Sequence, residues 1–358
     1  MAPHPPENSL PASKPSLPKP KFRLHLDDLR HSGTNSFLSL VPDPLLTLEK
    51  ALQSIVEYLY TVPSEEEDNN DKLPSTVCPP TISTIPSFIP SIPPTQSVTL
   101  ILRDFDGLAY TTGNEFDKEI HVALSYVQYC TTSQDPAGEL AGVLTHELVH
   151  CFQHTSPRQL SPTHNDGAYS HGNGDGNGYD NNVNAPRPPG GLIEGIADFV
   201  RLKAGLSPPH WKKPTSSNER PAKWDQGYQH TAYFLAWLED VRAGAGAIAL
   251  VNDRLLRVGY HTGESGNNNG DNGSSGVDDN DNNQNSHDDD SNRTAHQDSR
   301  ESPDYASRRG YLSFSPKEDF WHSMFGVGVL HLWEEYGEYL DRSNGGADNG
   351  GNWEIELL

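Results

Sequence analysis

The sequence predicts an α+β protein. Stretches with apolar residues at every second position lie in the first part of the chain. Stretches with apolar residues every three or four positions dominate after Pro136, so the order runs strands first, then helices. The first strand is expected in "FRLHLDDL". "DPLLTLEKALQSIVEYLY" follows with the Leu and Ile spacing of a helix, with Asp43 as its cap ahead of Pro44. Glu65 to Pro94, acidic and then studded with proline, reads as a loop. "SVTLILRDFDGLAYTTG" reads as a strand and its turn. "EIHVALSYV", Glu119 to Val127, carries Ile120, Val122, Leu124 and Tyr126 on one face and reads as a further strand.

A helix is expected from Pro136 to His154. Two more follow in Gly190 to Gly205 and Asp225 to Gly244, and a third in "IALVNDRLLRVGY". The last helical stretch, "SPKEDFWHSMFGVGVLHLWEEYGEYL", is open to a break at Gly326 or Gly328. Residues 1–20, rich in Pro and Ser, are expected to be a disordered leader. Residues 21–340 form the domain, and 341–358 a tail. Residues 157–190 and 261–304 read as low-complexity insertions, too poor in large aliphatics to join a core.

Only 34% of the 358 residues are hydrophobic, and 31 are Gly and 29 Pro, which suits one folded core padded by such segments. The net charge is −23, and Thr262 to Asp304 alone holds eleven acids against two arginines, so solvation rather than a binding face explains it. An acidic chain without a basic stripe excludes nucleic acid as an expected partner, and no run is long enough to span a membrane. Three cysteines, Cys78, Cys130 and Cys151, cannot form a disulfide framework. The N-terminus lacks an apolar signal-peptide core, so a cytoplasmic protein is expected by default. Within the first insertion Asn173, Asp175 and Asn177 precede Gly178 as in a calcium loop. The closing position holds Asn184 instead of Glu, so calcium is not expected.

The chemistry concentrates in "GVLTHELVHCFQH", Gly142 to His154. His146 and His150 are four positions apart, so a helix points both imidazoles to one side, with Glu147 beside them. Leu140, Leu144, Leu148 and Phe152 form a stripe roughly opposite, and Cys151 falls near that stripe as a core thiol. The five-residue pattern is short enough to arise by chance. Even so, a histidine pair on an otherwise apolar helix calls for a ligand. Zinc suits it: a catalytic zinc takes three N or O ligands and keeps one position for water, with a nearby carboxylate as base.

The sequence resembles the plant basic secretory protein family, zinc metallopeptidases of the zincin type. The stretches that carry the resemblance are "HVALSYV", "THELVHCFQH", "GGLIEGIADFVRLKAG", "HWKKP" and "WDQGYQHTAYFLAWLE", in that order, within Phe22 to Leu340. The resemblance implies a zincin-like fold, peptide or protein substrates, and a glutamate on a second helix as third ligand. It also implies secretion, against the default above. The chain departs from the family in being acidic and in its two insertions.

His154 is the nearer candidate for that third ligand. Residues 146 to 154 of one helix span about 12 Å at 1.5 Å per residue, whereas zinc–nitrogen bonds are about 2.0–2.1 Å, so His154 overshoots. On the second helix Glu194 and Asp198 share a side, opposite Leu192, Ile193, Ile196, Phe199 and Val200. The resemblance therefore implies His146, His150 and Glu194 as ligands, with Asp198 orienting a ligand histidine. Glu147 is the expected base. Tyr228, with His230 as an alternative, is the expected oxyanion partner, although buried helix aromatics are as common. The strand before the active helix can pair with extended substrate, and Trp211 and Trp224 can line a cleft. The chain is expected to act as a monomer. The competing expectation is a non-catalytic, zinc-stabilised binding protein that keeps the fold.

Overall fold

The computed structural model describes residues 15–62, 85, 88–157, 187–262 and 319–345. The calcium-like loop, Cys78, most of both insertions and most of the leader and tail lie outside them.

Among the described residues four strands make one sheet: β1 (Lys21–Leu26), β2 (Ser97–Arg103), β3 (Ala109–Gly113) and β4 (Asp117–Ala123), in the order β1-β2-β4-β3. β1, β2 and β4 run parallel, and β3 is antiparallel to β4 at the edge. Strict alternation on β2 buries Val98, Leu100 and Leu102, which sit level with Ile120 and Val122 on β4. That face packs on the helices. The mixed sheet and the helices that follow make the protein α+β.

Two helices bridge β1 and β2, namely α1 (Ser32–Leu40) and α2 (Pro44–Tyr60). Asp43 caps α2 through Leu46 N at 2.9 Å, as its place before proline predicts. α1 was not expected. It is rich in Ser, Thr and Asn, and Gly33 packs it against the Leu124 carbonyl, where a Cβ would lie 2.4 Å from the oxygen.

Three expectations are corrected. The strand read to Val127 ends at Ala123, and Leu124–Cys130 is helix α3. Leu124, Val127 and Cys130 repeat every third residue and are all buried, a helical period that the alternation of the preceding residues masks. "AYTTG", read as the turn after β2, is itself the edge strand β3. Because β4 is flanked on both sides, it cannot pair with substrate in its middle; the edge strand next to it is β3, and β1 forms the opposite edge.

The later half is helical: α4 (Pro136–Phe152), α5 (Gly190–Lys203), α6 (Tyr228–Trp237), α7 (Ala247–Arg257), α8 (Phe320–Phe325) and α9 (Val329–Gly345). α6 continues as a π-helical turn over Leu238–Ala243, and Gly326 at φ 74° breaks α8 from α9, as the sequence allows. Phe234, Trp321 and Tyr336 are buried where α6, α8 and α9 meet, and Trp224 packs edge-on against Trp321. The Phe320 amide donates to the His261 carbonyl at 2.8 Å, so the chain leaves the described residues after α7 and returns beside the same point. No described helix is long and apolar enough to cross a membrane.

Candidate metal centre

α4 presents the central residues. Asp135 caps it through Gly138 N at 2.9 Å, Pro136 fills its first turn, and Leu140, Leu144, Leu148 and Phe152 bury the stripe opposite the histidines. The helix stops at Phe152 because Gln153 takes an extended backbone, φ −73° and ψ 151°. His154 is therefore off the helix. Its Nε2 donates to the Ser91 carbonyl at 2.7 Å and its backbone N–H to Asn252 Oδ1 at 2.9 Å, so it anchors core segments away from the histidine pair.

α5 crosses α4 antiparallel. Glu139, Gly142 and His146 form one stripe on α4, and Arg201, Asp198 and Glu194 answer it on α5. The Arg201 guanidinium lies over Gly142, where a Cβ would sit 2.4 Å from its Nε, and bonds Glu139 Oε1 at 3.3 Å. That contact sets the register one and two turns further on. Asp198 Oδ1 meets His146 Nδ1 at 2.6 Å, and Glu194 Oε2 reaches Nε2 of His146 at 3.1 Å and of His150 at 3.7 Å. The two Nε2 atoms are 3.1 Å apart. Behind α5, Gly195 admits α6, since a Cβ there would meet Thr231 Cγ2 at 2.3 Å.

His146, His150 and Glu194 offer ligand atoms that all lie within 4.8 Å of one another. The donor set fits a cation. Two imidazole nitrogens and a carboxylate oxygen converge, and one charge at their centre relieves all three. Their electrostatics point the same way. Burial opposes a charged His146, yet the Asp198 and Glu194 carboxylates outweigh it and push its pKa up to about 9. Burial likewise opposes a charged Glu194, yet His146 and His150 hold it well below the usual carboxylate range. Zinc suits two imidazoles with one carboxylate, and three protein donors leave a position open.

Glu147 faces the same cleft. Thr111 on β3 donates from one hydroxyl to either of two acceptors, Glu147 Oε2 at 2.7 Å and the Glu147 carbonyl at 2.9 Å. Tyr228 starts α6 just after Gly227, with φ 48°, a left-handed conformation rare for a bulky residue. Its ring stacks on that of His146 at 6.1 Å and 17°, and it is 59% exposed to the cleft. The negative charge of Glu194, then partial burial, raises the phenol's pKa, so it stays a hydrogen-bond donor at neutral pH.

The cleft has a volume of about 980 Å³ and is lined by residues of β3, α4 and α5 together with Trp211 and Tyr228. Of the two oxyanion candidates, Tyr228 lines it and His230 does not. Of the two tryptophans, Trp211 lines it and Trp224 is core. Thr111 and Gln153, both on the site, were not singled out in the sequence. Thr111 lay in a stretch read as a turn, and Gln153 carries no motif of its own.

A His-His-Glu set, with His146 buried and His150 and Glu194 half-buried, at the wall of an open cleft and with a further carboxylate beside it, is an arrangement suited to hydrolytic chemistry. The family model described as BSP, peptidase of plants and bacteria, matches residues 19–278, more than half of the chain, and the protein belongs to that family. α8 and α9 lie beyond the matched residues. No curated protein and no solved structure matches the chain.

Proposed function

We propose that the protein is a zinc-dependent metallopeptidase of zincin-like fold, with His146, His150 and Glu194 as ligands. The observation that carries this reading is the convergence of those three donors within 4.8 Å beside Glu147. Zinc would supply a Lewis acid and a water acidified toward a pKa of ~7. Asp198 accepts from His146 Nδ1 and so keeps Nε2 aimed at the ion. Glu147 takes the proton of the attacking water and returns it to the leaving amine. Thr111 holds that carboxylate toward the cleft. Tyr228 donates its O–H to the developing oxyanion. Ala109, Tyr110 and Thr111 line the cleft from the sheet edge, where main-chain groups can pair with an extended peptide.

The test is cleavage of casein or a peptide library by wild type and by Glu147→Gln, with zinc quantified in both. Wild type should cleave, and Glu147→Gln should bind zinc but lose nearly all turnover. If both bind zinc and neither cleaves, the chain is instead a zinc-stabilised binding protein.

A further inference from the structure

We infer that Gln153 is the positioning residue for His150, and that its amide oxygen faces the imidazole Nδ1 whenever the metal site is filled. The inference rests on the zinc reading above and concerns the second ligand, as Asp198 concerns the first.

Two observations carry it. Gln153 Nε2 lies 3.0 Å from His150 Nδ1, and the amide is almost wholly buried. The other end of the same amide, Oε1, is buried with no hydrogen-bond partner, one of four such atoms among the described residues. With the nitrogen forward, Gln153 donates to Nδ1, and the single proton of a neutral imidazole must then sit on Nε2. That is the nitrogen 3.1 Å from His146 Nε2 and 3.7 Å from Glu194 Oε2, where a cation needs a lone pair.

A half-turn of the amide brings Oε1 to face Nδ1 without changing its shape, and carries the NH2 to the buried position that Oε1 leaves. Nδ1–H then donates to Oε1, the orphan oxygen gains its partner, and the Nε2 lone pair points between His146 and Glu194. The two ligand histidines thus have different supports, a carboxylate for His146 and a neutral amide for His150. A neutral support adds no further negative charge beside Glu147 and Glu194. The end of α4 has a use in this arrangement. Because Gln153 leaves the helix in extended conformation, its side chain folds back three positions onto His150.

The experiment measures zinc affinity by chelator competition in wild type, Gln153→Met and Gln153→Glu, with thermal melting of each metal-free protein. It also records 15N spectra of histidine-labelled, zinc-loaded wild type. The Met variant, similar in size but without an acceptor, should bind zinc ~10–100-fold more weakly. Its metal-free melting should be nearly unchanged, and Gln153→Glu should restore affinity. The spectra should show His150 protonated at Nδ1. Wild-type affinity in Gln153→Met, or an unprotonated Nδ1 in the loaded protein, overturns the inference. Should Gln153→Met fail to fold, the wild-type spectra decide alone. A wild type that takes up no zinc overturns the functional reading itself, and is told apart by needing no variant.

Discussion

Helix geometry sets His154 aside as a partner for His146 and His150 and the family resemblance favours Glu194, and their surroundings separate them in the same direction. Glu194 Oε2 lies within 3.7 Å of both Nε2 atoms, whereas His154 Nε2 is committed to the Ser91 carbonyl. Purified Glu194→Ala should therefore contain no stoichiometric zinc, and Asp198→Ala should bind it ~10–100-fold more weakly. His154→Ala should keep its full zinc content while losing about 1 kcal/mol of stability from the half-buried Ser91 carbonyl left unpaired. Metal analysis beside denaturant unfolding checks all three, and zinc missing from His154→Ala would reverse the assignment. At this scale legibility followed covalent proximity. His146, Glu147 and His150 are visible in five consecutive letters. Glu194 and Asp198 needed a helical-face argument and a family resemblance. Thr111 and Gln153 reach the site only through folding: one sits 36 positions before Glu147 in sequence, and the other arrives because a helix stops.

Elements with a strong apolar period were legible, and those whose boundaries depend on a neighbour were not. α2, α4, α5 and α7 follow their leucine and isoleucine spacing, and α2 and α4 also their aspartate caps. β3 was hidden because "AYTTG" has little apolar alternation and gains strand structure only by pairing with β4. α3 was hidden because Leu124 and Tyr126 continue the alternation of β4 past its end at Ala123. Two expectations belong to this scale. Gly195→Val places a branched side chain where even a Cβ meets Thr231 at 2.3 Å, so α5 must move off α6. Overpacking should cost about 1–3 kcal/mol and, because Glu194 is the adjacent residue, should weaken zinc as well. A variant with lowered melting temperature but wild-type zinc affinity would show that Glu194 does not depend on this packing.

The second concerns Glu239, whose Oε2 accepts the Ile248 amide at 2.9 Å at the start of α7. Burial raises its carboxyl to about 7, against the opposing pull of backbone amides. The folded state then binds more protons than the unfolded state between about pH 4.5 and 7. Stability contributed by this group is thus present at low pH and is lost as pH rises through that window, on the order of 3 kcal/mol in all. Glu239→Gln keeps the acceptor and removes the titration. It should match wild type near pH 5 and exceed it at pH 8 in urea unfolding; an equal or lower stability at pH 8 would count against the buried-acid account.

For the whole molecule, an α+β architecture was legible from the order of apolar patterns, although α1 and α2 fall between β1 and β2. The composition of residues 261–304 argues that they add nothing to the core. The geometry agrees at the one place it can. The Phe320 amide bonds the His261 carbonyl, and the Tyr260 and Phe320 rings pack with centroids 5.0 Å apart, so the intervening chain starts and finishes at one point. Replacing residues 264–304 with a short Gly/Ser linker should leave zinc content and melting temperature nearly unchanged, by metal analysis and calorimetry. A fall of more than a few degrees would mean that the segment packs against the fold.

On the zinc reading proposed above, the ligands come from α4 and α5, on either side of a long connection, and an ion held there would also act as a removable cross-link. Mass action sets its strength: a thousandfold excess of free zinc over its dissociation constant adds about 4 kcal/mol to folding, and a chelator takes it away. The form without its ion would then be at once the form that cannot cut and the form that opens most readily.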